Sequence, residues 1–398
     1  MRKFSKRFGR LGTETAFAVG ADAAAWASQG NTVYPFHLGD INLPTPKHIV
    51  EAAMAAIKAG KTGYAPGAGI MPLREKLAEN VGIDRGVQYA AENVSIQPGG
   101  KPVIGKFLGV LLSEGDEVLY PNPGYPIYES QIEYLDGKAL PYGFTPVAGG
   151  FAINREEIER QITDKTVAII YNNYQNPIGA ESSAEEMQYI ADLAIKHDLW
   201  VLSDEAYFDI RYGGKSESIV SLPGMRERTV ILYTFSKKFA MTGWRLGAAI
   251  GPSDFISGIS KFNTNYESCS NHFVQYAGIA CLTGPQDPQL AIIKELRQRR
   301  DALVNALQDI NGVKVSKPNT TFYLFPDVTE IYQRKGYTSS AAFRKDALEK
   351  TGVSFCSREH FGRRLPTENK IFVRFAYSGI NVPQIEEGLA KLKVFWES

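Results

Sequence analysis

The chain has 398 residues, 44% of them hydrophobic and 22% charged, which suits a soluble globular enzyme of two domains or one large domain with an appendage. A formal net charge of +1 gives no electrostatic reason to expect nucleic acid or an anionic membrane as partner. No apolar run approaches the roughly 20 residues of a membrane span, and the basic start "MRKFSKRFGRLG" lacks the apolar core of a signal peptide. Cys269, Cys281 and Cys356 are odd in number and far apart, and the five histidines show no paired spacing. Neither a disulfide framework nor a metal site is expected, and the expected location is cytoplasmic.

The first predicted helix is "FAVGADAAAWASQG", closed by Gly30 as a left-handed cap. The second is "KHIVEAAMAAIKAG", with Thr45 as cap, Pro46 in the first turn and Gly60 at the end. From about residue 93 short β-branched and aromatic runs alternate with helical periods. The runs "NVSIQ", "DEVLY", "GKALPY", "TVAIIY", "LWVLS", "TVILYTF" and "LGAAIG" predict strands. Helices such as "KPVIGKFLGVLLS" and "SAEEMQYIADLAIKHD" lie between them, the second opened by a Ser183–Glu186 capping box. This alternation predicts an α/β fold with a mostly parallel, doubly wound sheet buried on both faces. After about residue 285 a charged helix leads into a smaller α+β region with two sheet-like runs, "TTFYLFPD" and "KIFVRFAY". It ends in a helix capped by Asn381 and Gln384, with Ile385, Leu389 and Leu392 on one face. The expected division is a large domain over 46–285, and a small one made of 1–45 and 286–398.

Ligands of open α/β sheets bind beyond the carboxyl ends of the strands. Polar groups follow five of the predicted strands: Gly99, Gly100 and Lys101; Tyr125 and Tyr128; Asn176; Asp204 and Tyr207; Ser236, Lys237 and Lys238. Two glycines opening a helix suit a phosphate, and Arg245 adds a bidentate donor for it. This is not a nucleotide P-loop, because its first glycine would fall at Ser95 and Lys101 precedes Pro102. Tyr125 offers a ring to stack on, Asp204 a partner for a protonated ring nitrogen, and Tyr207 and Asn176 donors for a ring oxygen. A lysine buried among them would have a lowered amine pKa and could form an imine. Phosphate, ring, pyridine nitrogen, phenolic oxygen and imine together describe pyridoxal 5′-phosphate. Residue types alone leave open which of Lys237 and Lys238 is the working amine.

At these residues the sequence resembles the class I/II aminotransferases, which are fold-type I pyridoxal phosphate enzymes related to aspartate aminotransferase. The likeness runs from "HLGDINLPTP" to "VRFAYSG". The family's lysine segment reads roughly S-x-S-K-x-x-x-M-T-G-W-R, and "TFSKKFAMTGWR" fits it with Lys237 as the imine lysine and Arg245 as the phosphate arginine. The resemblance implies a three-layer fold with a smaller domain built from the N-terminal arm and C-terminal region. It implies Asp204 on the pyridine nitrogen, Tyr207 and Asn176 on the 3′ oxygen, and Tyr125 stacked on the ring. The phosphate falls to Gly99, Gly100, Lys101, Thr234, Ser236 and Arg245. It also implies Arg374 on the substrate α-carboxylate, Gly39 in the substrate loop, and Tyr64 reaching the phosphate of a partner subunit in a homodimer.

The expected activity is therefore transfer of an amino group between an L-amino acid and a 2-oxo acid by a ping-pong mechanism. Related enzymes that accept dicarboxylates carry a lysine at the position of Lys101, which brings aspartate and glutamate into view. Two departures fall near the substrate, "GDINL" for the usual G-E-P-D-F and "NTTFYLF" for G-A/T-F-Y; "NPIG" for N-P-T-G should matter little, and "CSREHFG" lacks its usual glycine. The same fold and cofactor also serve lyases, decarboxylases and synthases, and a few regulators, so a transamination screen separates the readings.

Overall fold

The structure is a computed structural model that describes residues 3–12 and 15–398; Met1, Arg2, Thr13 and Glu14, which belong to the expected N-terminal arm, lie outside the described residues. Seven strands form the central sheet: β1 Val94–Gln97, β2 Glu117–Pro121, β3 Lys138–Tyr142, β4 Thr166–Tyr171, β5 Trp200–Asp204, β6 Thr229–Thr234 and β7 Gly247–Ile250. Each falls on one of the seven predicted runs, β2 and β5 extending one residue past theirs. Their order across the sheet is β1-β7-β6-β5-β4-β2-β3.

The pairs β2–β3, β2–β4, β4–β5 and β5–β6 are parallel, whereas β7 is antiparallel to both β1 and β6. The connections explain the difference. A parallel neighbour needs a long crossover, such as the helix Ala184–Lys196 between β4 and β5. Between β6 and β7 there is only the 3₁₀ turn Thr242–Trp244, so the chain returns in the opposite sense. β1 and β6 flank β7 and so share one direction. Six strands therefore present their carboxyl ends at one edge.

Alternate residues of a strand face opposite sides, and both sides are covered here. Val118, Ile170 and Leu202 pack with Val103, Ile104 and Phe107 of the helix Lys101–Leu111. Their neighbours Leu119, Ile169 and Val201 pack on the other face with Met187 and Ile190. Each such buried aliphatic side chain stabilises the fold by about 1.5–3 kcal/mol. That double burial is why these strands read as continuous apolar runs.

A second sheet of three strands, β8 Tyr323–Leu324, β9 Cys356–Ser357 and β10 Val373–Ala376, is antiparallel in the order β8-β10-β9. It shares a core with the helices Asp287–Gln308, Ser340–Thr351 and Val382–Glu397, including Leu303, Leu307, Phe343, Leu389 and Trp396. Tyr174, Tyr207 and Phe208, from the loops after β4 and β5, belong to the same cluster. That shared core brings β10, and Arg374 on it, to the carboxyl edge of the large sheet.

The capping boxes at Ser183–Glu186 and Asn381–Gln384 are present. Thr45 does not cap the helix Lys47–Lys58. Pro46 occupies the cap, and the Thr45 hydroxyl donates to the Ala240 carbonyl at 2.7 Å and accepts from the Trp244 indole at 3.1 Å. A tertiary partner has taken the hydroxyl from the local helix end, and the exchange ties residue 45 to the lysine segment.

Candidate active site

The loops after β1, β2, β4, β5 and β6 converge with the segment around Gly39 and with β10 on a cleft of ≈ 700 Å³. Gly100, Lys101 and Tyr125 line it together with Thr234, Ser236 and Arg245. Asn176, Asp204 and Tyr207 form its floor, and Lys237, Gly39 and Arg374 complete it. A second groove, of ≈ 640 Å³ beside the hairpin Phe144–Ile153, contains none of the expected site residues.

The two lysines part company in this geometry. Phe235 and Phe239 are both fully buried and anchor one side of the turn after β6. Lys237 faces the cleft, with Nζ donating to the Gly39 carbonyl at 3.0 Å and standing 5.8 Å from the centre of the Tyr207 ring. Lys238 faces away and pairs with Asp209 at 3.0 Å.

Asp204 ends β5 and is buried. Its Oδ2 accepts the Tyr128 hydroxyl at 2.6 Å, and its Oδ1 accepts the Ala206 N–H at 3.1 Å. Burial raises the carboxyl pKa, and these two donors pull against that rise. Asn172 fixes the strand end by donating to the Asp204 carbonyl at 2.8 Å. Tyr128 was visible in sequence as one more tyrosine after β2; its bond to Asp204 spans 76 positions and had no local signal.

Arg374 is buried and donates from Nη1 to Asn176 Oδ1 at 3.0 Å and from Nη2 to the His37 carbonyl at 2.6 Å. Its Nε is a buried donor with no hydrogen-bond partner among the described residues. A guanidinium held this way, with a donor left over at a cleft wall, suits a carboxylate. Two cleft residues were not singled out from sequence. Tyr323 places its hydroxyl 2.6 Å from that of Tyr207, and His360 lies at the rim with Nδ1 held by Ser357.

At the other end, Gly99 has φ +98°, a conformation that L side chains rarely adopt, and a Cβ there would run into the Arg245 guanidinium. A Cβ on Gly100 would press on Leu232 and Thr234. The Gly99 N–H is donated to the Gln97 carbonyl at 2.8 Å, so its part in the turn is backbone shape rather than an open donor. Thr234 and Ser236 share a hydroxyl bond of 2.9 Å beside it. Tyr64 lies outside the cleft and is 88% exposed.

The sequence matches the family model "Aminotransferase class I and II" over residues 32–392. The chain belongs to this family. The aspartate aminotransferase of Bacillus subtilis is 32% identical over 397 residues, covering 99% of each chain. The solved aspartate aminotransferase from Thermus thermophilus with maleate superposes with a TM-score of 0.90 at 29% identity, over 99% of this chain and 100% of that one. The alanine aminotransferase from Pyrococcus furiosus gives 0.91 at 27% identity, over 99% and 100%. The protein is a pyridoxal phosphate-dependent aminotransferase with the aspartate aminotransferase-like fold.

The residues present in the aminotransferase fit that cofactor. The cradle at Gly99 and Gly100 stays open only because neither carries a Cβ. Hydroxyls and a guanidinium stand beside it, while a buried carboxylate and an amine lie deeper in the same cleft. Among the described residues no group of three or more His, Cys, Asp or Glu side chains is placed to hold a metal ion.

Proposed function

We propose that this aminotransferase exchanges amino groups between a dicarboxylic L-amino acid, aspartate or glutamate, and a 2-oxo acid by a ping-pong cycle. The reading is carried by the convergence of Lys237, Asp204 and Arg374 in one cleft while Lys238 is engaged elsewhere. When bound, pyridoxal phosphate supplies an aldehyde for amine exchange and a ring that accepts electrons from the substrate carbon.

The chain's own residues do the rest. Lys237 would hold the aldehyde carbon, and its freed Nζ would take the proton from the substrate Cα and return one as the exchange completes. Asp204, held in place by the Tyr128 hydroxyl and the Ala206 N–H, would pair with the protonated ring nitrogen. Tyr207 and Asn176 would serve the ring oxygen and Tyr125 the ring face. Gly100, Thr234, Ser236 and Arg245 would hold the phosphate, around the turn shaped by Gly99. Arg374, with Asn176 and the Gly39 segment, would take the α-carboxylate and so aim the Cα–H bond at Lys237.

The dicarboxylate preference rests on Lys101. Its Nζ stands 5.7 Å from the centre of the Tyr125 ring, in the lining of the cleft that also holds Arg374. The maleate carried by the Thermus thermophilus structure is itself a dicarboxylate. Tyr64, exposed on its own subunit, fits a site completed across a homodimer. A division into 46–285 and 1–45 with 286–398 is supported by the separate small sheet and its core, and would put the cleft between the two parts. Three unpaired cysteines suit the cytoplasm. A panel of amino acids tested against 2-oxoglutarate and pyruvate decides the substrate: preferred transfer from aspartate or glutamate supports it, and equal or better transfer from alanine or aromatic donors overturns it.

A further inference from the structure

We propose that Tyr323 is a positioning residue that sets the two halves of the site at once: its hydroxyl orients the Tyr207 hydroxyl, and its ring holds the plane of Arg374. The first half rests on the assignment of Tyr207 to the cofactor ring oxygen made above.

Tyr323 is in β8, 98% buried, where the small sheet meets the large one. Its hydroxyl is 2.6 Å from the Tyr207 hydroxyl, and the rings meet edge to face at 5.4 Å. The Arg374 guanidinium lies over the same ring at 4.6 Å from its centre. A Cβ on Gly39 would run into the Tyr323 hydroxyl, and the Gly39 carbonyl accepts Lys237 Nζ. One side chain therefore touches or borders the amine's holder, the carboxylate's arginine and the ring oxygen's donor.

The hydrogen-bond directions follow. Burial raises the Tyr207 pKa well above its ordinary value, so this group stays a hydroxyl with one proton to give. Spent on Tyr323, that proton would be lost to a ring oxygen. With Tyr323 as donor, Tyr207 accepts through its oxygen and keeps its proton for the ligand, and chained hydroxyls strengthen one another. The charged groups bearing on Tyr207 are Arg374 and Asp204, with Lys237 above its ring. The Phe variant of residue 323 changes none of them. The strand ordering around β8 is also held from outside the cleft: Thr321, at φ +61°, has its carbonyl bound by the hydroxyls of Tyr212 and Tyr377 at 2.6 and 3.2 Å.

Two variants of the holoenzyme separate the halves. Tyr323→Phe removes the hydroxyl and keeps the ring. Its kcat should fall about tenfold while KM for amino and oxo acids stays within about twofold. The pH midpoint of the bound cofactor's visible absorption should rise by about half a unit, because a weaker Tyr207 bond favours the anionic ring oxygen less. Tyr323→Leu removes the ring as well and should also raise KM about tenfold. Tyr207→Phe is the control, and the double Phe variant should shift the midpoint no further than Tyr207→Phe alone. If Tyr207→Phe shifts the midpoint and Tyr323→Phe does not, or if the two shifts add, the proposal falls while the Tyr207 assignment stands. If Tyr207→Phe leaves the midpoint in place, both fall. Equal KM increases in Tyr323→Phe and Tyr323→Leu would remove the ring's role at Arg374.

Discussion

Lys237 and Lys238 are adjacent and chemically identical, so their different surroundings carry the argument. Lys238 forms an ion pair with Asp209, and Lys237 faces the cleft with Asp204 and Tyr207. Lys237→Ala should abolish transamination, whereas Lys238→Ala should keep most of it in the same steady-state assay. Asp204→Ala should lower turnover by several orders of magnitude and Asp204→Glu by far less, since only the alanine removes the carboxyl group proposed to pair with the ring nitrogen. Lys101→Ala should lower kcat/KM for dicarboxylates by roughly 10- to 100-fold and spare alanine. An equal loss for all donors would place Lys101 in phosphate support. His37 makes a different prediction. Burial, with Arg374 nearby, pushes its pKa down to about 4, and its Nδ1 is buried without a partner among the described residues. The unfolded chain binds a proton near pH 6.5 and the folded one near 4. Stability should therefore be full above 6.5 and fall as the pH drops from 6.5 to 4. Urea midpoints across that window should show the fall, and His37→Asn should flatten it.

The elements were legible to different depths. Seven strands and both capping boxes were readable, because double burial and S-x-x-E spacing are local signals. The sense of β7 was not: "LGAAIG" looks like its parallel neighbours, and only the lack of a full helix between β6 and β7 reverses it. Thr45 looked like a cap, and the tertiary partners Ala240 and Trp244 claimed it. The site divides in the same way. Residues at strand ends could be gathered by the switch-edge rule, and only the resemblance to the family's lysine segment, with Ser236 and Arg245 in register, chose Lys237. Tyr128 was among them without a role and Tyr323 was not singled out, because their bonds to Asp204 and Tyr207 cross 76 and 116 positions. For the elements themselves, Ser183→Ala should cost about 1 kcal/mol of stability by denaturant titration with kcat unchanged, since that cap lies outside the cleft.

For the whole molecule, the cleft exists because two sheets meet. The large sheet supplies codirectional ends bearing Asp204 and Lys237, and the small sheet brings Arg374 and Tyr323 against them through a shared aromatic core. The exposure of Tyr64 leads to a prediction about assembly, that it completes the site of a partner subunit. Sedimentation at assay concentration should show a dimer, and Tyr64→Phe should weaken cofactor retention without dissociating it. A fully active monomer would contradict the shared site. The central claim, that Lys237 is the amine that works on cofactor and substrate, has a direct measurement. Borohydride fixes pyridoxal phosphate on whichever amine holds it, and peptide mass mapping of the reduced holoenzyme then locates the added mass. The structure predicts the added mass on Lys237, with Lys238 unmodified; the cofactor fixed on Lys238, or on any residue outside the cleft, would contradict it.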